Sequence, residues 1–235
     1  MSQLDAWEKR FSDAKGFIQD FFKIGNLLYF KGRLADALTA YEKLYALLNR
    51  RVQEGRSELA NDLAMALMNK GNALSDLGKL AEAIGIYDEA IGMYRQLVEA
   101  GRSELANDLA RALINKAIAL ESLKDWDNAL AHYKEGIDWQ AMSVDAGLTH
   151  LLPQLIQYIR YRMMLLLELK RWDEAAQDVL QACDRIQPWL QAGTLPEPSA
   201  QEMSAIRAQI DALAADEQQE VYKRLGKCAE VLRGL

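Results

Sequence analysis

The sequence predicts an all-α fold: an array of antiparallel helical hairpins closed by a C-terminal pair of capping helices. Three observations carry this. The stretch GRSELANDLA is written twice, from Gly55 to Ala64 and from Gly101 to Ala110, which sets a period of 46 residues, and the same beat lands on Gly147 and Gly193. Periods of this length belong to stacked supersecondary units. Only 4 of the 235 residues are proline, and Ala, Leu, Glu, Lys and Gln dominate long stretches, a mixture of strong helix formers with few breakers. Apolar residues recur every three to four positions, and no segment sustains the alternation of a strand.

The elements follow in order. Residues 1–10 read as a lead-in helix, with Leu4 and Trp7 on one face. The first repeat covers about 12–54: Phe17, Phe21, Ile24 and Leu28 form one stripe, Gly32 breaks it, and Ala37, Leu38, Tyr41, Leu44 and Leu48 form the stripe of a second helix ending at Gly55. Glycine there suits the left-handed conformation that ends many helices. The same two-helix unit recurs at 55–100, 101–146 and 147–192, with Asp125 as an expected N-cap and Pro153 tolerated in a first turn. Pro188 is expected to kink or end its helix. After the turn-rich GTLPEPS, residues 193–235 read as two capping helices, Ala200 to Ala214 and Asp216 to about Leu232.

A net charge of −6 disfavours nucleic acid or an anionic membrane as the main partner. Cys183 and Cys228 sit in apolar helical contexts without a CxxC pair, which reads as two buried thiols in a reducing compartment. The charged N-terminus lacks the apolar core of a secretory signal, and no apolar run approaches a membrane span. The expected location is cytoplasmic.

Within each unit, small residues stand where two helices must approach. Gly25 and Gly71 are followed in register by Ala117 and Met163; Ala37, Ala83, Ala129 and Ala175 hold a second such position, each followed four residues later by Tyr41, Tyr87, Tyr133 and Val179. This pattern of Gly-x-x-Leu and Ala-x-x-x-Tyr resembles the tetratricopeptide repeat, over roughly Phe17 to Gln191. Family repeats are about 34 residues long, so these lengthened helices extend by on the order of 9 Å each. The family's tryptophan position holds Phe21, Leu67, Leu113 and Ile159.

The resemblance implies a right-handed superhelical α-solenoid whose first helices line a concave groove for a peptide or partner helix. Carried over by register, its groove positions are Gln19, Phe22, Lys23, Asn26 and Tyr29, then Met65, Met68, Asn69, Asn72 and Ser75, then Arg111, Ile114, Asn115, Ile118 and Glu121, and last Gln157, Arg160, Tyr161, Met164 and Leu167. Asn26, Asn69 and Arg111 match in kind a clamp with which some family members grip a carboxylate, whereas Phe22 and Asn115 depart from it. Asn61 and Asp62, repeated at Asn107 and Asp108, suit the helix dipole and bonding between repeats rather than a metal.

No catalytic or cofactor motif stands out. His132 and His150 lack a partner at motif spacing, and the glycines open no phosphate loop. Arg160, Arg162, Lys170 and Arg171 form a basic cluster suited to a phosphate or an acidic segment, or simply to a solvated helix end. The sequence therefore points to a non-enzymatic scaffold or adaptor with a protein or peptide partner and no cofactor. Two alternatives are a regulatory sensor that changes shape on binding a small peptide or metabolite, and self-assembly into homo-oligomers.

Overall fold

A computed structural model describes residues 14–234, so the lead-in expected at 1–10 lies outside the described residues. Eleven α-helices and no strand occur among them: α1 Ala14–Phe30, α2 Leu34–Gln53, α3 Ala60–Asp76, α4 Leu80–Glu99, α5 Ala106–Ser122, α6 Trp126–Asp145, α7 Leu152–Glu168, α8 Trp172–Ala192, α9 Glu197–Asp211, α10 Ala215–Leu225 and α11 Cys228–Gly234. The second helices start at Leu34, Leu80, Trp126 and Trp172, and the later first helices at Ala60, Ala106 and Leu152. Each start follows its predecessor by the 46 residues of the sequence beat. A single 3-10 turn introduces α3, α5 and α7, at Ser57–Leu59, Ser103–Leu105 and Thr149–Leu151.

The chain forms two compact units, Met1–Lys124 and Asp125–Leu235. In the first, the hairpins pack through a continuous apolar seam: Ile18 and Phe22 of α1, Leu44 and Leu48 of α2, Leu59, and Leu63 and Ala66 of α3 form one cluster. Burial of each leucine, isoleucine or phenylalanine among them contributes about 1.5–3 kcal/mol. The stripe read from α1 is corrected here, since Ile24 is 52% exposed while Ile18 and Phe22 are buried. Close approach depends on the small residues. A Cβ at Gly71 would stand 2.6 Å from Tyr87 Cε1, and one at Gly25 would stand 2.5 Å from Tyr41 Cε1.

In the second unit, α7 and α8 bury Leu155, Ile159, Met163, Val179 and Ile186, and the cap adds Met203, Ile206 and Ile210 of α9 and Val221 and Leu225 of α10. Helix α9 lies chiefly along α7, and α10 along α8. The cap has three helices rather than the expected pair. Gly226, at φ +53°, turns the chain after α10 and opens the short α11. Helix α8 runs through Pro188 to Ala192 and ends at left-handed Gly193, so Pro188 does not terminate it. Asp125 makes no side-chain cap bond; its carboxylate instead accepts both hydrogen bonds of the Asn128 amide group, at 3.0 and 2.9 Å.

The cysteine reading is also corrected. Cys183 of α8 and Cys228 of α11 are joined in a disulfide, with their Cα atoms 6.2 Å apart. Spacing along the chain concealed this pairing, because the partners lie 45 residues apart and meet only when α11 folds back on α8. The inference of a reducing compartment therefore loses its premise. Among the described residues, no helix is long and apolar enough to cross a membrane.

Candidate functional site

The glycine at the waist of each early first helix lets a tyrosine ring lie flat against it, and that contact starts a polar ladder in the first unit. Tyr87 is 2% exposed, and its hydroxyl donates to Asn72 Oδ1 at 2.8 Å. The same acceptor takes Asn115 Nδ2 at 2.9 Å, which links α3 to α5. One repeat earlier, Tyr41 donates to Asn26 Oδ1 at 2.7 Å, and Asn69 Nδ2 reaches the same atom at 3.5 Å, which links α1 to α3. Burial pushes the Tyr41 phenol up to about 12 and also raises that of Tyr87. Both hydroxyls stay protonated at neutral pH and serve as donors.

Around the second rung lies a cavity of about 180 Å³ lined by Tyr29, Asn72, Ser75, Asp76, Tyr87, Asn115 and Ile118. Helices α1, α3 and α5 each contribute, so the cavity sits on the first-helix face of three successive hairpins. Tyr29 donates to the Asp76 carboxylate across its rim, and burial together with that carboxylate holds the phenol in its neutral form. An asparagine side chain offers two hydrogens and two lone pairs. The ladder uses the Asn72 oxygen and one Asn115 hydrogen, so Asn72 Nδ2 and Asn115 Oδ1 retain bonding capacity. Ile118, 39% exposed, supplies an apolar patch.

The residues read from the sequence divide into three groups. Asn26 and Asn69 form one hydrogen-bonded pair and Asn72 and Asn115 another, each pair joined to a tyrosine. Phe22 and Met68 instead belong to the core, at 7% and 3% exposure. Phe22 packs in the seam between its own hairpin and the next. The charged positions are already paired. Lys23 meets Asp20 at 3.1 Å in an exposed ion pair, Arg111 meets Asp108 at 2.5 Å, and Arg160 meets Glu202 of α9 at 2.8 Å. A carboxylate brought to Arg111 would share the guanidinium with Asp108. Asp76 is the lining residue that sequence reasoning missed, since it lies at the last position of α3, outside the carried-over register.

The basic cluster of the fourth repeat is likewise answered from within the chain. Arg160 binds Glu202, Arg162 binds Asp178 and Glu174, Lys170 binds Glu217, and Arg171 binds Glu174. Because α9 lies along α7 and Glu202 takes Arg160, this first helix is partly covered by the protein's own cap. No three His, Cys, Asp or Glu side chains among the described residues converge as metal ligands do.

Comparison with known proteins supports the repeat reading. The tetratricopeptide repeat profile matches residues 63–101. No curated protein matches the sequence at a significant level. Among solved structures, the nearly identical tetratricopeptide-like repeats of a Podospora anserina kinesin light chain homologue align with a TM-score of 0.64 at 13% identity, over 92% of this chain and 95% of that one. BtubC from P. vanneervenii aligns at 0.63 and 17% identity, over 93% and 80%. A Rap protein complexed with competence and sporulation factor aligns at 0.59 and 14% identity, over 97% and 67%. At these identities the likeness establishes the fold: a tetratricopeptide-like array of helical hairpins.

Proposed function

We propose that this chain, a tetratricopeptide-like helical array, is a protein-interaction module that holds an extended segment of a partner protein against the first-helix face of its first unit. The observation that carries this reading is the cavity between Tyr29, Asn72, Asn115 and Ile118, with unspent amide donors and acceptors beside an exposed aliphatic group. A peptide backbone offers the complementary N–H and C=O groups at every residue. The asparagines are held by buried tyrosines, so little ordering remains for binding to require, and a prebuilt surface binds more tightly for that reason. The Rap protein's complex with competence and sporulation factor is consistent with ligand capture by such arrays, although fold alone does not transfer a ligand.

Selection from a random peptide library displayed on phage tests the reading. Peptides enriched on the wild-type protein are expected to lose roughly tenfold or more in affinity on Ile118→Glu and on Asn115→Ala, with far-UV circular dichroism unchanged. Failure to enrich any peptide, or full retention of affinity by both variants, would overturn it.

A further inference from the structure

In the first unit, one ion pair recurs with the beat of the repeats. Lys70 of α3 faces Glu42 of α2 at 4.0 Å, and Lys116 of α5 faces Asp88 of α4 at 2.6 Å. A further 46 residues along, the pattern breaks. The cation is Arg162, but the position of Glu42 and Asp88 holds Lys134. Arg162 turns to its own hairpin, where Asp178 and Glu174 receive it. Asp178 is itself out of pattern, because the corresponding positions in the first three repeats are Ala40, Ile86 and His132. A position that holds no acid in the other three repeats has thus become a carboxylate whose side chain is only 8% exposed.

Burying a carboxylate is costly unless every lone pair is met, and here they are not. Asp178 Oδ2 is buried without a hydrogen-bond partner, as is Arg162 Nε. Both residues line a cavity of about 480 Å³ between α6 and α8, together with Lys134, Asp138, Glu174, Gln177, Gln181 and Asp184. The volume lies within the range of small-molecule sites. Its ionisable lining comprises two bases, Lys134 and Arg162, and four acids, Asp138, Glu174, Asp178 and Asp184. Lys134 is occupied by Asp138 at 2.7 Å, and Arg162 by its two acids. Glu174 is also met by Arg171 at 2.6 Å, which leaves Asp184 as the lining carboxylate without an ion pair among the described residues.

We propose that this cavity on the second unit binds an organic cation, an ammonium or guanidinium group, with Asp184 as its counter-charge and the unmet oxygen of Asp178 as a further acceptor. Nothing among the described residues gathers acids as a metal site would. Amide side chains of Gln177 and Gln181 suit a ligand rich in N–H donors. Arg162 Nε and Asp178 Oδ2 leave one donor and one acceptor unmet among the residues of the same cavity, a complement that fits a basic residue within a peptide, which carries a carbonyl beside its cation. A free amine shares the cationic chemistry but lacks that carbonyl. The inference is independent of the first-unit face, which uses none of these residues.

Calorimetric titration of the full chain distinguishes the two sources. The probes are agmatine, acetyl-Gly-Arg-Gly-amide, and the same peptide with neutral citrulline in place of arginine. Saturable binding of the arginine peptide is expected, weakened roughly tenfold or more by the citrulline exchange and by Asp184→Lys. Asp184 is exposed, so that variant should keep the wild-type melting temperature, whereas Asp178→Asn also alters a buried ion pair. Agmatine binding as tightly as the peptide would assign the site to a free amine; peptide binding alone would assign it to a basic side chain; either upholds the proposal. Absence of saturation with both cations, equal binding of the citrulline peptide, or unchanged affinity in Asp184→Lys would overturn it.

Discussion

Single side chains carry two kinds of burden in this protein, filling close contacts and satisfying buried polar atoms. Tyr87 does both, lying against Gly71 and donating to Asn72. Tyr87→Ala is expected to lose about 3–5 kcal/mol of stability, read as a lowered urea midpoint; an unmoved midpoint would mean that the ring is not buried. Asp178 responds to acidity. Burial pushes its carboxyl up to about 7, against the pull of Arg162, so between the ordinary carboxylate range and about 7 the folded state holds a proton that the unfolded chain has released. Stability from this group is therefore greatest at low pH and is lost as pH rises through that window. Denaturation of wild type and Asp178→Asn at pH 5 and pH 8 should show the asparagine variant gaining relative to wild type at the higher pH. The tyrosine positions were legible because Ala-x-x-x-Tyr repeats in register. The burial of Phe22 and Met68 was not, because one helix face meets both its hairpin partner and the next hairpin, and a register alone does not say which face stays free.

At the scale of the helices, the turn inside each hairpin is a fixed backbone shape rather than a fixed residue. Gly32 and Gly78 adopt φ of +72° and +76°, and 46 residues on, Lys124 and Lys170 adopt +62° and +57°. A side chain in that left-handed region costs about 1–2 kcal/mol. Lys124→Gly should therefore raise the unfolding free energy by about 1 kcal/mol after the extra freedom of glycine in the unfolded chain is counted, measurable by urea titration. The 46-residue beat made the helix starts from Leu34 to Trp172 readable, since the turn residues between them recur with it. The cap was less readable. Its helices follow no repeat, and the break at Gly226 was hidden in a stretch rich in helix formers.

At the scale of the whole molecule, two compact units share one repeat length but differ in what fastens them. The second alone contains a covalent link, Cys183 to Cys228. Closing a loop of this length contributes about 4 kcal/mol in the chain-entropy account. Dithiothreitol, or Cys228→Ser, is expected to lower the stability of the second unit by that order. Thiol titration of the unreduced, denatured protein should find no free cysteine. Detecting two would remove the link. No pattern of neighbouring residues could have announced it, since distant cysteines reveal a bond only once the fold has placed them together.

The two asparagine rungs of the first unit have a consequence for any guest. They are chemically identical and one hairpin apart, on the order of 10 Å by the spacing of packed helices. An extended strand advances about 3.3 Å per residue, so positions three apart along such a strand would arrive at equivalent hydrogen-bonding stations. A cargo whose sequence rhymes at every third residue would find the same reception twice, and sliding it by one triplet would exchange one station for the next.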